Sequence, residues 1–303
     1  MKVNLSAKLL TLSVLLAGLL WQCNNSESVN PKYLKEMSNW RAERLERLKS
    51  MQGWLNLVGL LWIENGVNNF GSDSSNKIIF PETAPAKAGT ISLKDSLIYI
   101  HFNELEGVLV DDKPAADCQL FTDASGHQSH VQMGRFAFTI IKRGTKYAIR
   151  LRDMESPLLG KLDSIPSFPV SPKYRVKAKL EKFAEPKSYE VNTVIGIPEN
   201  YQAVGRLVFK VNGKEYSLIP FDEGDSYFII FGDETSSIET YPAGRFLNAQ
   251  KVDDSGYTIL DFNKATNPPC AFTPYATCPL PLRANILDLR IEAGEKDVHL
   301  YKH

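Results

Sequence analysis

The 303-residue chain carries 35 Lys+Arg against 35 Asp+Glu, with 43% hydrophobic and 10% aromatic residues. That composition excludes a disordered chain and a multi-span membrane protein, and the zero formal charge argues against a nucleic-acid partner. Four cysteines are too few for a disulfide-built scaffold, while the length allows one sizeable core or two modest ones.

Residues 1–22 read as a secretory signal. Lys2 and Lys8 supply positive charge, and the uncharged run LLTLSVLLAGLL at 9–20 follows. As a helix that run would be roughly 18 Å long, short of the ~30 Å hydrocarbon layer, so it suits a signal core rather than a stable span. Cys23 closes the segment and a polar tether follows it to residue 30. This is the pattern of a bacterial lipoprotein, whose cysteine thiol takes the lipid that anchors the mature chain to a membrane. Trp21 and Gln22 depart from the small residues usual before such a cysteine, and a plain cleaved signal is the alternative. Either reading exports the protein to the cell envelope, facing the periplasm or the exterior.

Residues 31–51 predict one amphipathic helix. Leu34, Met37, Leu45 and Leu48 fall on one stripe beside Trp40, with Pro31 in the first turn and Asn30 as N-cap. From residue 53 to 303 the grammar becomes short β-like runs between turns. Strands are predicted over 55–62, 91–93, 97–102, 107–110, 136–142, 147–151, 174–180, 189–195, 203–211, 215–220, 227–231, 258–262 and 286–291. The clearest hairpin turns at Asn212-Gly213. The expected fold is mainly β, a β-sandwich or barrel-like domain behind an N-terminal amphipathic helix. Four prolines, at 157, 166, 169 and 172, mark a soft boundary between two strand-rich halves of what reads as one domain.

No nucleophile elbow, H-E-x-x-H pair or glycine-rich phosphate loop is present, and nothing points to a cofactor or a metal. His127 and His130 lie in a polar loop without a nearby acid pair, and His101 lies in a strand. Trp54, Trp62 and Phe70 could stack on a ligand but read first as core. The last third is denser in chemistry. Asp233, Tyr241, Arg245, Asp261, Asn263 and Asn285 sit there among prolines that stiffen the loops, as binding sites are commonly built, and Arg152 is a further candidate. Arg152 and Arg245 could each fork onto a carboxylate or phosphate, or pair internally with Asp153 and Asp233. Asp261 could join Asp233 or Glu295 as a carboxylate pair, or simply cap a turn. Cys270 and Cys278 are a disulfide candidate; a nucleophilic thiol, a metal site with Asp261 or a histidine, and two small buried hydrophobes are the other readings. Cys118 reads as a lone buried thiol.

Several segments together resemble the bacterial family known as domain of unknown function 1684. They are GWLNLVGLLW (53–62), ENGVNNFGSD (64–73), IRLRD (149–153), TYPAGRFL (240–247), LDFNKATNPPCAF (260–272), CPLP (278–281) with Asn285, and AGEK (293–296). The resemblance spans nearly all of 53–296 and implies one full-length domain; it implies no reaction and no catalytic residue.

The residues therefore point first to a lipid-anchored envelope protein whose β-rich domain binds a small polar ligand or glycan. An envelope hydrolase using Asp261 with a second carboxylate, or Cys270, is the second reading. A structural or partner-binding lipoprotein is the third.

Overall fold

The computed structural model describes residues 29–103, 106–114 and 117–300, so the expected signal segment 1–22 and the lipidation candidate Cys23 lie outside the described residues. Helix α1 (Pro31–Lys49) begins where its cap predicts: Asn30 Oδ1 accepts the Lys32 N–H at 2.9 Å, and Pro31 sits in the first turn. It stops short of residue 51 because the Leu48 carbonyl accepts the N–H groups of Trp54 and Leu55 as the chain doubles back. Gly53 permits that return, since a Cβ there would lie 2.1 Å from the Leu48 oxygen. Met37 and Leu48 are buried and Leu45 half-buried, but Leu34 is 43% exposed, so the apolar stripe is used from Met37 onwards. No helix among the described residues is long and apolar enough to cross a membrane.

Eleven strands build a first lobe: β1 (Leu57–Ile63), β2 (Gly66–Gly71), β3 (Ile78–Ile79), β4 (Gly89–Lys94), β5 (Leu97–Phe102), β6 (Leu109–Val110), β7 (Lys113–Pro114), β8 (Asp117–Leu120), β9 (His130–Met133), β10 (Phe136–Arg143) and β11 (Lys146–Asp153). They form a six-stranded sheet, β1-β11-β10-β9-β6-β7, and a five-stranded one, β3-β2-β4-β5-β8. Every pairing is antiparallel except β2 with β3. Alternation decides the faces. Phe136, Phe138, Ile140, Ile149 and Leu151 of one sheet meet Phe70, Ile91, Ile98, Ile100 and Phe102 of the other in a single core. Phe70 contacts Phe80, Phe102 and Phe138 at ring centroids 5.3–6.2 Å apart, so it is a core residue. Trp62, by contrast, faces outward and is 39% exposed, with Lys146 over its ring.

Seven strands build a second lobe: β12 (Arg175–Val191), β13 (Glu199–Val211), β14 (Lys214–Leu218), β15 (Phe221–Asp222), β16 (Ser226–Phe231), β17 (Arg245–Gln250) and β18 (Tyr257–Asp261). Sheet β14-β13-β12-β18 packs on sheet β15-β16-β17 around Leu207, Phe209, Phe231, Leu247, Leu260 and Phe262. The β13–β14 hairpin turns at Asn212 and Gly213, both at positive φ (52° and 79°), as its sequence predicts. The two strands expected over 174–180 and 189–195 are one strand, β12. Its pairing with β13 skips between Lys182 and Lys187, and Pro186, with no N–H to donate, sits inside that irregularity.

Residues 286–291 are not a strand, correcting the sequence expectation. One isolated bridge, Gly232 with Ile286, and backbone bonds from Leu287 N–H to the Gly232 carbonyl and from Glu234 N–H to the Leu289 carbonyl are all the pairing this segment has among the described residues. Beyond them side chains take over, Asp233 the Ile291 N–H, Arg245 the Ile291 carbonyl and Tyr174 the Arg290 carbonyl. A third apolar cluster joins α1, the 157–172 connection and the C-terminal loops through Leu48, Leu55, Leu162, Tyr241, Phe272 and Cys278.

Candidate functional site

Four of the predicted site residues are turned inward and engaged by the chain itself. Arg245 is 0% exposed; it pairs with Asp233 at 3.1 Å and donates to the carbonyls of Ile291 and Ala293. Asp233 also accepts from Ile291 N–H at 2.8 Å and from the Thr235 hydroxyl. Burial lowers the Arg245 pKa against the opposing pull of Asp233. Asn285 ties Ile219 and Ile230 together through backbone bonds of 2.8–3.0 Å, and Asn263 does the same for both backbone groups of Ser171. The stiff, polar character of this region is thus spent on holding 286–295 against the second lobe.

Arg152 behaves differently. Asp153, its suspected partner, forks onto Arg135 with two 2.7 Å bonds. Arg152 lies in the first lobe, away from the other six candidates, and donates only to the Gly53 and Gln52 carbonyls, both at 3.4 Å. Burial lowers its pKa to about 10.

Tyr241, Cys270 and Cys278 form a compact group in the third cluster. The described cysteines are free thiols. The Cys278 thiol and the Tyr241 hydroxyl both hydrogen-bond to Cys270, lowering its pKa against the effect of burial, while burial raises those of Cys278 and Tyr241. Cys270 N–H donates to Cys278 Sγ at 3.1 Å. No histidine is among these partners: His101 is exposed and bonded to Asp117, and His127 to Asp111. No set of three or more His, Cys, Asp or Glu side chains among the described residues is arranged to hold a metal.

Asp261 alone of the seven opens onto a sizeable cleft. On the outer face of the second lobe, edge strand β18 meets edge strand β17 without a continuous ladder. The Thr258 hydroxyl reaches the Gln250 carbonyl at 2.8 Å, and the Asp253 N–H reaches the Tyr257 carbonyl at 2.8 Å. The gap is a cleft of about 450 Å³. Arg175 and Lys177 line it from β12, Lys251 from the loop after β17 and Lys264 from the short 3-10 helix Phe262–Lys264, together with the carboxylates of Asp253 and Asp261 and with Asn248, Gln250 and Tyr257. Some of this charge is matched locally: Lys251 with Asp222 at 2.7 Å, Lys264 with Glu36 at 2.7 Å and Arg175 with Asp261 at 3.7 Å. Lys177 Nζ lies 4.0 Å from the centre of the Tyr257 ring.

The helix reaches the lining of this cleft at Asp261. Tyr33 OH donates to the Asp261 carboxylate, at 2.8 and 2.7 Å from its two oxygens, and burial, then Asp261, raise the tyrosine pKa. Further along α1, Arg41 donates to the Phe168 carbonyl, and Arg44 holds Glu295 at 3.1 Å while stacking on Phe272. Glu295, whose carboxyl pKa is raised by burial, also takes the Asn267 N–H at 2.6 Å. It is therefore a latch for α1 and stands apart from the cleft that holds Asp261.

Sequence reasoning missed the cleft's basic lining. Alternation of Arg175 and Lys177 on one strand face was readable, but their convergence with Lys251 depends on β17, and the segment holding Arg245 reads as loop.

Comparison with known proteins adds a family. The family described as "Protein of unknown function (DUF1684)" matches residues 160–296, which takes in the second lobe and the motifs at 240–247, 260–272, 278–281 and 293–296; those at 53–62, 64–73 and 149–153 fall outside the match. No curated protein matches the chain. An uncharacterized protein of Haloarcula marismortui, solved in solution by NMR, is 30% identical over 46% of this chain and 80% of its own, with a TM-score of 0.40.

Proposed function

The chain belongs to the DUF1684 family, and from that premise we propose that its β-rich domain binds a small polar ligand, a sugar acid or short acidic glycan, in the cleft between β17 and β18. The observation that carries this reading is the lining: four cations against two carboxylates, with two amides and a phenol ring, around about 450 Å³. That volume is in the range of small-molecule sites, and Lys177, which has no carboxylate at salt-bridge distance among the described residues while Arg175, Lys251 and Lys264 do, offers a charge for an acidic ligand. Tyr257 offers a ring face, and the two amides offer the mixed donors and acceptors that hydroxyl groups need.

The expected setting is the cell envelope. The uncharged run at 9–20 and the cysteine at 23 support an exported chain held to a membrane by lipid on Cys23. Intact mass of the mature protein tests this: a diacylglyceryl and acyl increment on Cys23 supports it, and an unmodified or absent Cys23 contradicts it.

The binding reading is tested by titrating the mature protein with glucuronate and with glucose by calorimetry. Glucuronate binds the wild type and binds Lys177→Met several-fold more weakly, while glucose binds weakly or not at all. Equal heats for both sugars, or unchanged glucuronate binding in Lys177→Met, would refute the assignment.

A second reading rests on Asp253 and Asp261 sharing this cleft: a hydrolase with a carboxylate pair. The Asp261 carboxylate is engaged by Tyr33, which suits a fixed charge better than a moving proton. A bell-shaped pH–rate profile on an acidic glycan, abolished in Asp253→Asn, would favour hydrolysis over binding.

A further inference from the structure

A buried charge is costly unless a counter-charge or a full set of hydrogen bonds meets it. One face of the first lobe carries a buried arginine, Arg152, and a half-buried one, Arg150, neither with a carboxylate at salt-bridge distance among the described residues. Arg150 and Arg152 alternate along β11 with Ile149 and Leu151, which enter the core, so both guanidinium groups lie on the opposite face of the sheet. Their neighbours are matched: Arg135 by Asp153 and Glu155, Arg143 by Asp123 and Glu199. Arg150 stacks on Trp54 at 5.1 Å and its buried Nε has no partner. Of the five N–H donors of Arg152, the chain uses two, in long bonds to backbone carbonyls.

The register makes a hollow beside this charge. Ala137 pairs with Arg152 on one side and with Gln132 on the other, so a methyl group stands between the two longer side chains. In the next row Thr139 pairs with Arg150 and with His130. Met51 and Gln52 close the hollow from above, leaving about 50 Å³. The Gln132 amide and the Thr139 hydroxyl line it and make no hydrogen bond to other described residues. The space suits one charged headgroup and not a whole sugar. The ionisable groups on its lining besides Arg152 are His130 and Asp112, both exposed at the mouth.

We propose that this hollow is a binding site for a single oxyanion, the carboxylate or phosphate group of a small molecule, held by the Arg152 fork with the Gln132 amide and the Thr139 hydroxyl. The site is separate from the β17–β18 cleft and does not depend on it. The uncompensated charge supplies the attraction, and neutral donors around it supply hydrogen bonds without a competing carboxylate on the floor. Burial keeps the ion dry enough for the pairing to be stronger than on an open surface.

The test follows the Arg152 Nε–Hε signal by NMR in the intact mature chain, titrated with inorganic phosphate and separately with acetate against chloride at constant ionic strength. The signal shifts saturably in the millimolar range with at least one anion. Preference for phosphate marks a tetrahedral ligand group, and preference for acetate a carboxylate. Arg152→Met, followed through backbone amides of β10 and β11, weakens the favoured anion by about tenfold or more, Arg152→Lys less, and Asp112→Asn strengthens it. Should Arg152→Met not fold, Gln132→Leu and Thr139→Val are read instead and each weakens binding. Arg175→Ala in the second lobe leaves the titration unchanged, which separates this site from the cleft. No saturable shift with either anion, or undiminished binding in Arg152→Met or in both lining variants, overturns the proposal.

Discussion

Arg245 and Arg152 are both buried, yet replacing each by methionine should have very different consequences. Arg245→Met strands Asp233, whose side chain is 0% exposed and whose arginine partner at 3.1 Å would be gone. Removing one member of such a pair costs about 3–5 kcal/mol, since the remaining carboxylate stays desolvated. The same change also frees the Ile291 and Ala293 carbonyls, which pushes the loss towards the upper end. Arg152→Met strands no carboxylate. It gives up two 3.4 Å bonds to the Gly53 and Gln52 carbonyls, about 1 kcal/mol together at that length, and relieves the desolvation of an unmatched guanidinium. The two effects nearly cancel, so the stability change should lie within about 1 kcal/mol of zero. Guanidinium chloride unfolding followed by circular dichroism reads both, compared at equal m-values. If Arg152→Met lost as much as Arg245→Met, Arg152 would be a structural strut and the reasoning about uncompensated charge would fail.

Other outcomes follow from the same geometry. Arg44→Met removes the partner of buried Glu295 and should destabilise by about 3 kcal/mol at neutral pH. Because burial already raises the Glu295 pKa, the carboxyl stabilises the fold most when protonated; the loss in Arg44→Met should shrink as pH falls into the acid range, and a pH-independent loss would contradict the latch. Tyr33, Tyr201, Tyr227 and Tyr241 all have raised pKa values, chiefly from burial, among 12 tyrosines. A raised folded pKa means stability present below the unfolded value near 10 and lost above it. Spectrophotometric titration should leave these four un-ionised until the chain unfolds in alkali, and ionisation of all 12 near pH 10 without unfolding would refute the burial. Finally, the adjacent Cys270 and Cys278 thiols should close to a disulfide under a mild thiol oxidant, adding about 2–3 kcal/mol for so short a loop, less any strain. Two thiols that stay alkylatable after oxidation would show that the pair cannot close.

Much of the fold was legible where local chemistry and burial agree. Asn30, Pro31 and the Met37–Leu48 stripe announce α1, and Asn212-Gly213 sets the β13–β14 hairpin. Legibility failed where side chains replace a ladder. The alternation of 286–291 looks like a strand, but after one bridge to Gly232 the backbone groups of Arg290 and Ile291 are taken by Asp233, Arg245 and Tyr174, distant in sequence. The strands expected over 174–180 and 189–195 run together because an unpaired irregularity between Lys182 and Lys187 absorbs Pro186. For the candidate site, residue type pointed to the last third of the chain, and of the residues named there Asp261 lines the cleft. It did not reveal that Arg245, Asn263 and Asn285 turn inward, because a buried structural arginine and a ligand-binding one have the same sequence. What separates Arg152 from Arg245 is the carboxylate each meets after folding, and that pairing is not local.

The most direct test of the binding account is a backbone-amide NMR titration of the mature protein with glucuronate. The account predicts saturable shifts confined to 175–177, 248–251 and 257–264, smaller in Lys177→Met. Shifts centred elsewhere, or none at concentrations that saturate small-molecule sites, would contradict it.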